Sequence, residues 1–568
     1  MRLIGAGGRA GGRAAAPGVT ALAPAAAAEQ ADGSRPGPAR GGMPLRWALP
    51  VALAGGLALA AAFPPAGAWP LAIGGPALLT VALWRRSLRA SLAVGLVFGA
   101  AFFVPLISWL VNVAWYVWAA LAAAEMVSFA VLAVGQRLLL QLRAWPVAVA
   151  GWWVAAEAIR DRWPYAFPWG RLAMSQASAP TARWVAIGGA PLLTFLLALA
   201  GACLAWLLLG PAPWTEQPVG PRRQERAPAL RHRALPALAF AGAAGLALAG
   251  RMLPVDHGIP GGPAAAVAAI QGNVPHARNL PDLWRAAAVT QYHAEATRDL
   301  AAQVRAGSRP APDVVIWPEN SADLDPSRNP ALSAVIQGAT DAIGRPVLVG
   351  AVLQNPRRNA GQLWLPRRGP VAVYVKRQLV PFGEYIPFRG LLSHITSLTA
   401  LQPVNYTPGR QAVVFRVGKI RLGDVICYEV GFDGLVRSEV TAGANLLAVQ
   451  SNDADFELDG QLGESGQQVA MARIRAIESD RAVVYASTTG QSAIISPGGS
   501  LIARSGSWRR AELDARVPLR TTVTLAGRLG GWPEGVISAA TAAALAWALA
   551  SAAPARSRSR RDHLPPAG

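Results

Sequence analysis

Three side chains with complementary chemistry each follow a short apolar run in the second half of the chain. Glu319 comes after Val314-Val315-Ile316-Trp317-Pro318, Lys376 after the run 371–375, and Cys427 after Val425-Ile426 and before Tyr428-Glu429. Short apolar runs bounded by turn residues read as buried strands, and sites in layered α/β domains form at strand ends. A thiol can attack a carbonyl carbon, a carboxylate can take the thiol's proton, and an ammonium can steady the developing oxyanion. Together these are the parts of a covalent acyl-transfer centre. Each alone has a plainer explanation. A lone cysteine after an apolar strand is usually a packed core residue, Glu319 beside Pro318 fits a solvated turn, and Lys376 fits a surface cation. Cation usage adds weight to the lysine. Of 53 basic residues only Lys376 and Lys419 are lysines, so a lysine marks a place that wants a compact ammonium rather than a planar guanidinium. Lys419 has the same claim.

These positions need a scaffold, and from Ala264 onward the texture of the chain offers one. Candidate strands cover residues 264–270, 313–317, 346–353, 371–375, 421–426, 445–449, 482–486 and 493–496, with helical stretches such as 283–306 and 466–479 between them. The alternation predicts a layered α/β domain. Neither a GxGxxG nor a GxxxxGK[ST] phosphate loop is present, nor an HExxH pattern, and the six histidines are scattered. No cofactor and no metal site are therefore expected. Two cysteines in 568 residues exclude a disulfide-rich scaffold. Cys203 lies in an apolar run far from Cys427, so packing is its expected role and no disulfide is expected.

The first half belongs to a different solvent. Charged residues make up 15% of the chain and hydrophobic ones 52%, against about 25% charged in soluble domains. A net charge of +21 invites a nucleic-acid reading, but 29 basic and 23 acidic residues fall between Arg251 and Arg528. Most of the excess therefore flanks apolar runs, and no nucleic-acid partner is expected. Residues 47–84 are uncharged and split by Pro64-Pro65, and 90–136 carry only Glu125 with a break near 108–118. Further apolar runs cover 144–156, 184–210, 234–250 and 535–555. That makes eight candidate spans. Arginine clusters at the N-terminus, in every second loop and at the C-terminus mark the cytoplasmic side, which puts the long loop before the last span outside. Trp109, Trp115 and Trp118 are expected at the outer boundary. Glu125 is a mid-span carboxylate, functional or paired, or simply neutral and hydrogen-bonded. Arg160, Arg162 and Arg171 depart from the charge pattern, and either meet phospholipid headgroups or form loop salt bridges.

Longer motifs surround the three reactive residues: Ile316-Trp317-Pro318-Glu319, then Tyr374-Val375-Lys376-Arg377-Gln378-Leu379-Val380-Pro381-Phe382-Gly383-Glu384, then Ile426-Cys427-Tyr428-Glu429. They resemble the Glu-Lys-Cys triad motifs of the nitrilase superfamily, and the lysine run resembles its apolipoprotein N-acyltransferase branch. Gln271-Gly272-Asn273, Ser451-Asn452-Asp453-Ala454, Met471-Ala472-Arg473-Ile474-Arg475-Ala476-Ile477-Glu478 and Thr489-Gly490-Gln491-Ser492 also match, as do Glu157 and Phe167-Pro168-Trp169-Gly170 in the membrane part. The resemblance covers roughly residues 45–555. Asp455-Phe456-Glu457 departs from it, standing where the family commonly has an aromatic residue and glycine, in a loop expected near the lipid entry.

The resemblance implies an α-helical membrane bundle of about eight spans with an inserted extracytoplasmic nitrilase-like α/β domain, an α-β-β-α sandwich. The expected division is a disordered Gly/Ala/Arg-rich segment at 1–43, about seven membrane helices in 44–250, the catalytic domain at 251–528, a final span at 529–555 and a basic cytoplasmic tail at 556–568. Met43 is an alternative start. The chain is expected in a bacterial inner membrane, as a monomer. The implied reaction is ping-pong. Cys427, deprotonated by Glu319, takes an acyl chain from a phospholipid while Lys376 and the Tyr428 backbone N–H hold the oxyanion. The thioester then passes the chain to the N-terminal amine of a diacylglyceryl-cysteine lipoprotein. Glu384 either orients Lys376 or assists proton transfer, or is a plain salt bridge. Glu429 is open between support and packing, and Tyr428 between a role for its ring and simple packing. Two other functions share these features: a membrane-tethered amidase in which water resolves the thioester, and a non-catalytic membrane scaffold.

Overall fold

The computed structural model describes residues 42–210, 229–255, 262–275, 282–395, 403–458 and 463–552. Residues 1–41 and the basic tail at 556–568 lie outside these. The apolar runs of the first half are helices, which satisfy backbone groups internally as a bilayer demands. They are α1 (Leu45–Ala61), α2 (Leu71–Leu83), α3 (Leu88–Leu106), α4 (Trp115–Leu139), α5 (Trp145–Arg160), α6 (Val185–Leu209) and α7 (Ala229–Leu248). Ser87 caps α3 by accepting from the Ala90 N–H at 3.3 Å.

The second half then runs through β1 (Ala264–Gln271), α8 (Asp282–Arg305), β2 (Val314–Ile316), α9 (Pro330–Ile343), β3 (Val347–Leu353), β4 (Arg358–Leu365), β5 (Gly369–Val375), α10 (Arg389–Ile395), β6 (Val414–Val417) and β7 (Ile420–Ile426). It continues with α11 (Asp433–Thr441), β8 (Leu446–Ser451), α12 (Glu464–Ser479), β9 (Val483–Ser487), β10 (Ala493–Ile495), β11 (Leu501–Arg504), β12 (Ala511–Pro518) and α13 (Leu525–Leu529). The chain rejoins the apolar helices as α14 (Trp532–Ala552). Among the described residues, five helical segments are long and apolar enough to cross a membrane: Leu88–Leu106, Trp115–Leu139, Pro180–Leu209, Arg233–Met252 and Trp532–Ser551. α1 and α2 are shorter apolar helices, and α5 has 16 residues.

The strands form two six-stranded mixed sheets, ordered β12-β1-β2-β3-β4-β5 and β11-β10-β9-β8-β7-β6. β1, β2 and β3 run parallel, as do β7, β8 and β9, and the outer pairs are antiparallel. Strand side chains sort by parity. Val267, Ala269, Val314 and Ile316 point into the core shared with the second sheet, while Ala268, Ile270, Val315 and Trp317 pack under α8 and α9. α11 and α12 cover the far side of the second sheet. The parallel ladders bring the C-terminal ends of β2 and β7, each on its own sheet, to the region where the reactive residues stand.

The two halves are joined by ionic and close-packed contacts. Arg171, in the loop after α5, makes a fork to Asp433 at the start of α11, with N–O distances of 2.8 and 3.2 Å, and also meets Asp161 at 3.2 Å and Glu157 at 3.7 Å. Arg475 of α12 pairs with the same Asp433. Burial pushes the Asp433 carboxyl up, but the two guanidinium groups outweigh it and hold it below the usual carboxylate range. Arg160 lies 3.5 Å from Glu125, which also accepts from the Tyr165 hydroxyl at 2.8 Å, and Arg162 pairs with Glu534. Of the two readings for these arginines, the structure therefore shows salt bridges within the protein. A Cβ on Gly431 would sit 2.5 Å from the Pro168 ring, so only glycine lets the loops of the two halves come this close. Arg171→Met leaves Glu157, Asp161 and Asp433 without their shared cation. It is expected to cost about 3–5 kcal/mol, read as a lowered thermal midpoint in detergent. An unchanged midpoint would mean that packing alone holds the junction.

Candidate active site

Cys427 directly follows β7 and begins a short 3-10 turn with a left-handed backbone, φ 51°. Few non-glycine residues adopt that conformation, and strain of this kind persists where surroundings over-determine it. The surroundings here centre on Glu429. Its fully buried carboxylate accepts from the backbone N–H groups of Ile426 at 2.8 Å, Arg377 at 2.7 Å and Gln378 at 3.1 Å, and from the Tyr374 hydroxyl at 2.8 and 3.0 Å. The residue before Cys427 is thereby tied to the two residues after Lys376. Burial pushes the Glu429 carboxyl up, and these N–H donors oppose it.

Lys376 leaves β5 into the interior, with 1% exposure. Its Nζ lies 2.9 Å from Glu319 Oε1 and 3.1 Å from Glu384 Oε1. Asn359 of β4 donates its amide to both of those oxygens, at 2.6 and 2.8 Å. The other oxygen of Glu319 accepts from the Asn452 N–H at 3.0 Å, just past β8. Glu384 is anchored by the Val380 N–H at 2.7 Å. Behind Glu319, a Cβ on Gly350 would lie 2.2 Å from the Pro318 carbonyl, so β3 can approach the carboxylate's loop only as glycine.

The electrostatics define resting protonation states. Burial would lower the Lys376 pKa, but Glu319 and Glu384 outweigh it and hold it well above the usual lysine value. Burial pushes Glu319 up against the pull of Lys376. Burial also pushes the Cys427 thiol well above its usual range, with Glu319 adding to the effect and Lys376 opposing it. At rest the sulfur is a thiol. Among the charged groups acting on it, the Glu319 carboxylate has the largest effect.

Aromatic rings from the membrane half form one wall. Phe167 stacks on Trp169 at 5.8 Å, and Trp169 stacks on Tyr428 at 5.7 Å with planes 15° apart. The Tyr428 hydroxyl donates to the Ala166 carbonyl at 2.6 Å, so its ring is a packing element of this wall. Trp109 meets Trp169 and Phe456. The departing Asp455-Phe456-Glu457 segment is built in. Glu457 is buried and accepts from the Ser465 N–H at 2.6 Å and hydroxyl at 2.8 Å, satisfying the start of α12. Asp455 faces outward, 3.7 Å from Arg285. Cys203 and Cys427 are both free thiols. Among the described residues no group of three or more histidine, cysteine, aspartate or glutamate side chains is set to hold a metal ion.

Asn359, Asn452 and Gln468 are the site contacts that sequence reasoning passed over. The Gln468 amide lies 3.4 Å from Cys427 Sγ. Asn452 was within a quoted motif, but it is its backbone that touches Glu319.

Two mixed six-stranded sheets, stacked between helices, with a cysteine at one strand end and a lysine-bridged pair of carboxylates beside it, form a nitrilase-like domain. Residues 266–526 match the family model for carbon-nitrogen hydrolases. The membrane half is matched separately, with residues 55–203 fitting the model for the apolipoprotein N-acyltransferase N-terminal domain. An apolipoprotein N-acyltransferase from Mycolicibacterium smegmatis is 37% identical over 470 residues, 79% of this chain and 76% of that one. Another from Azotobacter vinelandii is 31% identical over 71% of this chain and 72% of that one. Of solved structures, an amidase from Nesterenkonia sp. shares 19% identity across 45% of this chain and 91% of its own, with a TM-score of 0.34. The chain belongs to the apolipoprotein N-acyltransferase family.

Proposed function

We propose that this membrane acyltransferase works through a Cys427 thioester in two half-reactions. In the first, Glu319 takes the Sγ proton, the sulfur attacks the ester carbonyl of a phospholipid, and the C–O bond breaks. The departing lysophospholipid alkoxide recovers the proton from Glu319. In the second, the α-amine of a diacylglyceryl-cysteine lipoprotein attacks the thioester carbon, the C–S bond breaks, and an amine proton returns through Glu319 to sulfur. Lys376 and the Tyr428 N–H stabilise the oxyanion both times. Glu384 and Asn359 hold the ammonium and Glu319 in register, and Glu429 fixes the turn that presents the sulfur.

The observation that carries this reading is the wall beside the nucleophile. The residue after Cys427 stacks on Trp169 of the membrane half, so the thiol sits where an apolar chain held in a bilayer can reach it. The alternation of arginine clusters with apolar runs supports eight membrane spans, with the catalytic domain on the outer face of a bacterial inner membrane, and a monomer is taken as the working unit.

Incubating the wild-type protein in detergent with phosphatidylethanolamine is expected to add one acyl mass, removed by neutral hydroxylamine and mapped to the Cys427 peptide. A lipopeptide bearing diacylglyceryl-cysteine should discharge it as an amide. No adduct and no fatty acid release would overturn catalysis in favour of a scaffold. Steady fatty acid release with the lipopeptide present would favour the hydrolase.

A further inference from the structure

A side-chain donor outside the triad is hydrogen-bonded to the reactive sulfur. Gln468, in the second turn of α12, points its Nε2 at Cys427 Sγ from 3.4 Å. Its amide is fixed from both ends. Oε1 accepts from the Tyr485 hydroxyl at 3.1 Å and lies 3.2 Å from the Ser451 hydroxyl, while Nε2 also donates to Glu464 Oε1. All of these residues are buried. The Tyr485 hydroxyl donating to Oε1 sets the amide's orientation, with its N–H groups facing the sulfur and the carboxyl, while the Ser451 proton goes to Asp453 at 2.7 Å.

The helix is fixed as firmly as the side chain. The neighbouring Gln467 donates to the Leu106 carbonyl at 2.9 Å and the Pro64 carbonyl at 3.3 Å, and accepts from Trp169 at 2.8 Å. Consecutive glutamines thus do different things: one ties α12 to the membrane helices and the next touches the nucleophile.

Resting on the thioester reading above, we propose that Gln468 is a further catalytic residue, whose amide donates to the Cys427 sulfur whenever that sulfur carries negative charge. It does so twice per cycle. When Glu319 removes the thiol proton, the amide N–H stabilises the attacking thiolate. When the acceptor amine displaces the thioester, the electron pair of the breaking C–S bond returns to a sulfur already facing a donor. Glu464 serves as a positioning residue for the amide. Burial and the adjacent Asp453 push its carboxyl well up, so it holds Gln468 without adding a full negative charge beside the thiolate. Lys376, Glu319, Glu464 and Asp453 are the charged or titratable groups acting on the sulfur, and only Lys376 among them favours its anion.

The test is the rate of Cys427 alkylation by iodoacetamide, followed on the Cys427 peptide of the full-length protein in detergent across pH. Gln468→Met keeps the length of the side chain and removes the donor. Near neutral pH it is expected to alkylate roughly tenfold more slowly, the loss expected when one hydrogen bond to a charged group is removed. At high pH, where the thiol is ionised regardless, the rates should converge. Acyl-adduct formation from phosphatidylethanolamine should slow by roughly ten- to a hundredfold. A purely structural role would lower the rate at every pH or lower the melting temperature without moving the profile. A wild-type profile in Gln468→Met overturns the proposal. Should that variant fail to fold, Tyr485→Phe decides, since it removes one hydroxyl that orients the amide: a smaller shift in the same direction supports the role, and none overturns it. If wild-type protein forms no acyl adduct, the thioester reading falls, while the alkylation profile still reports on Gln468.

Discussion

Replacing Cys427 with alanine is expected to abolish acyl transfer, lowering it by more than roughly ten-thousand-fold, with no acyl adduct and an unchanged melting profile. The argument for complete loss is chemical. The other thiol, Cys203, is on α6, packed among apolar residues such as Ala200 and Ala243. The water that could replace Sγ would meet a site whose base and oxyanion donors are aimed for a sulfur at the end of β7. The argument for a retained fold is equally specific. Alanine keeps the Cβ, and the left-handed turn is held by the Glu429 carboxylate through backbone donors, none of which involves the thiol. Losing one buried sulfur costs about 1 kcal/mol, the scale of a single buried methylene. Thermal unfolding and intact mass on the same preparation check both halves. An acylated Cys427→Ala would place the nucleophile elsewhere.

Much of this site could be read in the sequence for one physical reason. The strands that carry Glu319 and Cys427 are buried on both faces, so they appear as continuous apolar runs, and a polar residue at the end of such a run stands out. The strands that escaped notice, β4, β6, β11 and β12, each mix polar or charged residues into the run. β4 reads Arg-Asn-Ala-Gly-Gln-Leu-Trp-Leu, and β12, at a sheet edge, alternates charged with apolar residues. Asn359 was hidden with β4, although it touches both carboxylates that hold Lys376. Gln468 was inside a helix that was expected, but nothing in local spacing distinguishes it from Gln467. Their separate roles follow from partners far away in sequence, Cys427 for one and Leu106 for the other.

The same limit governed the charged residues of the membrane half. Arg171 has its main partner 262 residues away, so headgroup contact and internal pairing were indistinguishable until α11 was placed. Asp455-Phe456-Glu457 shows the opposite case. The segment departs from the family pattern in a loop expected near the lipid entry, and Glu457 is absorbed as a cap for α12, the helix that bears Gln468. Substituting it would therefore act on the nucleophile's surroundings as well as on the loop.

Lys376→Met is expected to lower the rate of acyl-adduct formation by roughly a thousandfold and to move its acid limb to higher pH. The first effect follows from position. Lys376 is the only cation touching Glu319 and Glu384 among the described contacts, and loss of one preorganised oxyanion donor in a dry site costs roughly a hundred- to a thousandfold. The second effect has a definite sign. Burial pushes the Glu319 pKa up, and the Lys376 ammonium is the main force holding it down. Wild-type adduct formation should already fall away at a pH above the ordinary carboxylate value, because the base works only when ionised. Without the ammonium, Glu319 is left beside Glu384 with only the neutral donors of Asn359 and Asn452 to oppose the desolvation, its pKa rises further, and activity is lost at a still higher pH. Lys376→Arg is not a rescue, since a planar guanidinium cannot occupy the 1%-exposed pocket of a compact ammonium without displacing Asn359. Single-turnover adduct formation across pH separates these ideas: a slower rate with an unmoved acid limb would mean that Lys376 holds the oxyanion but does not tune Glu319.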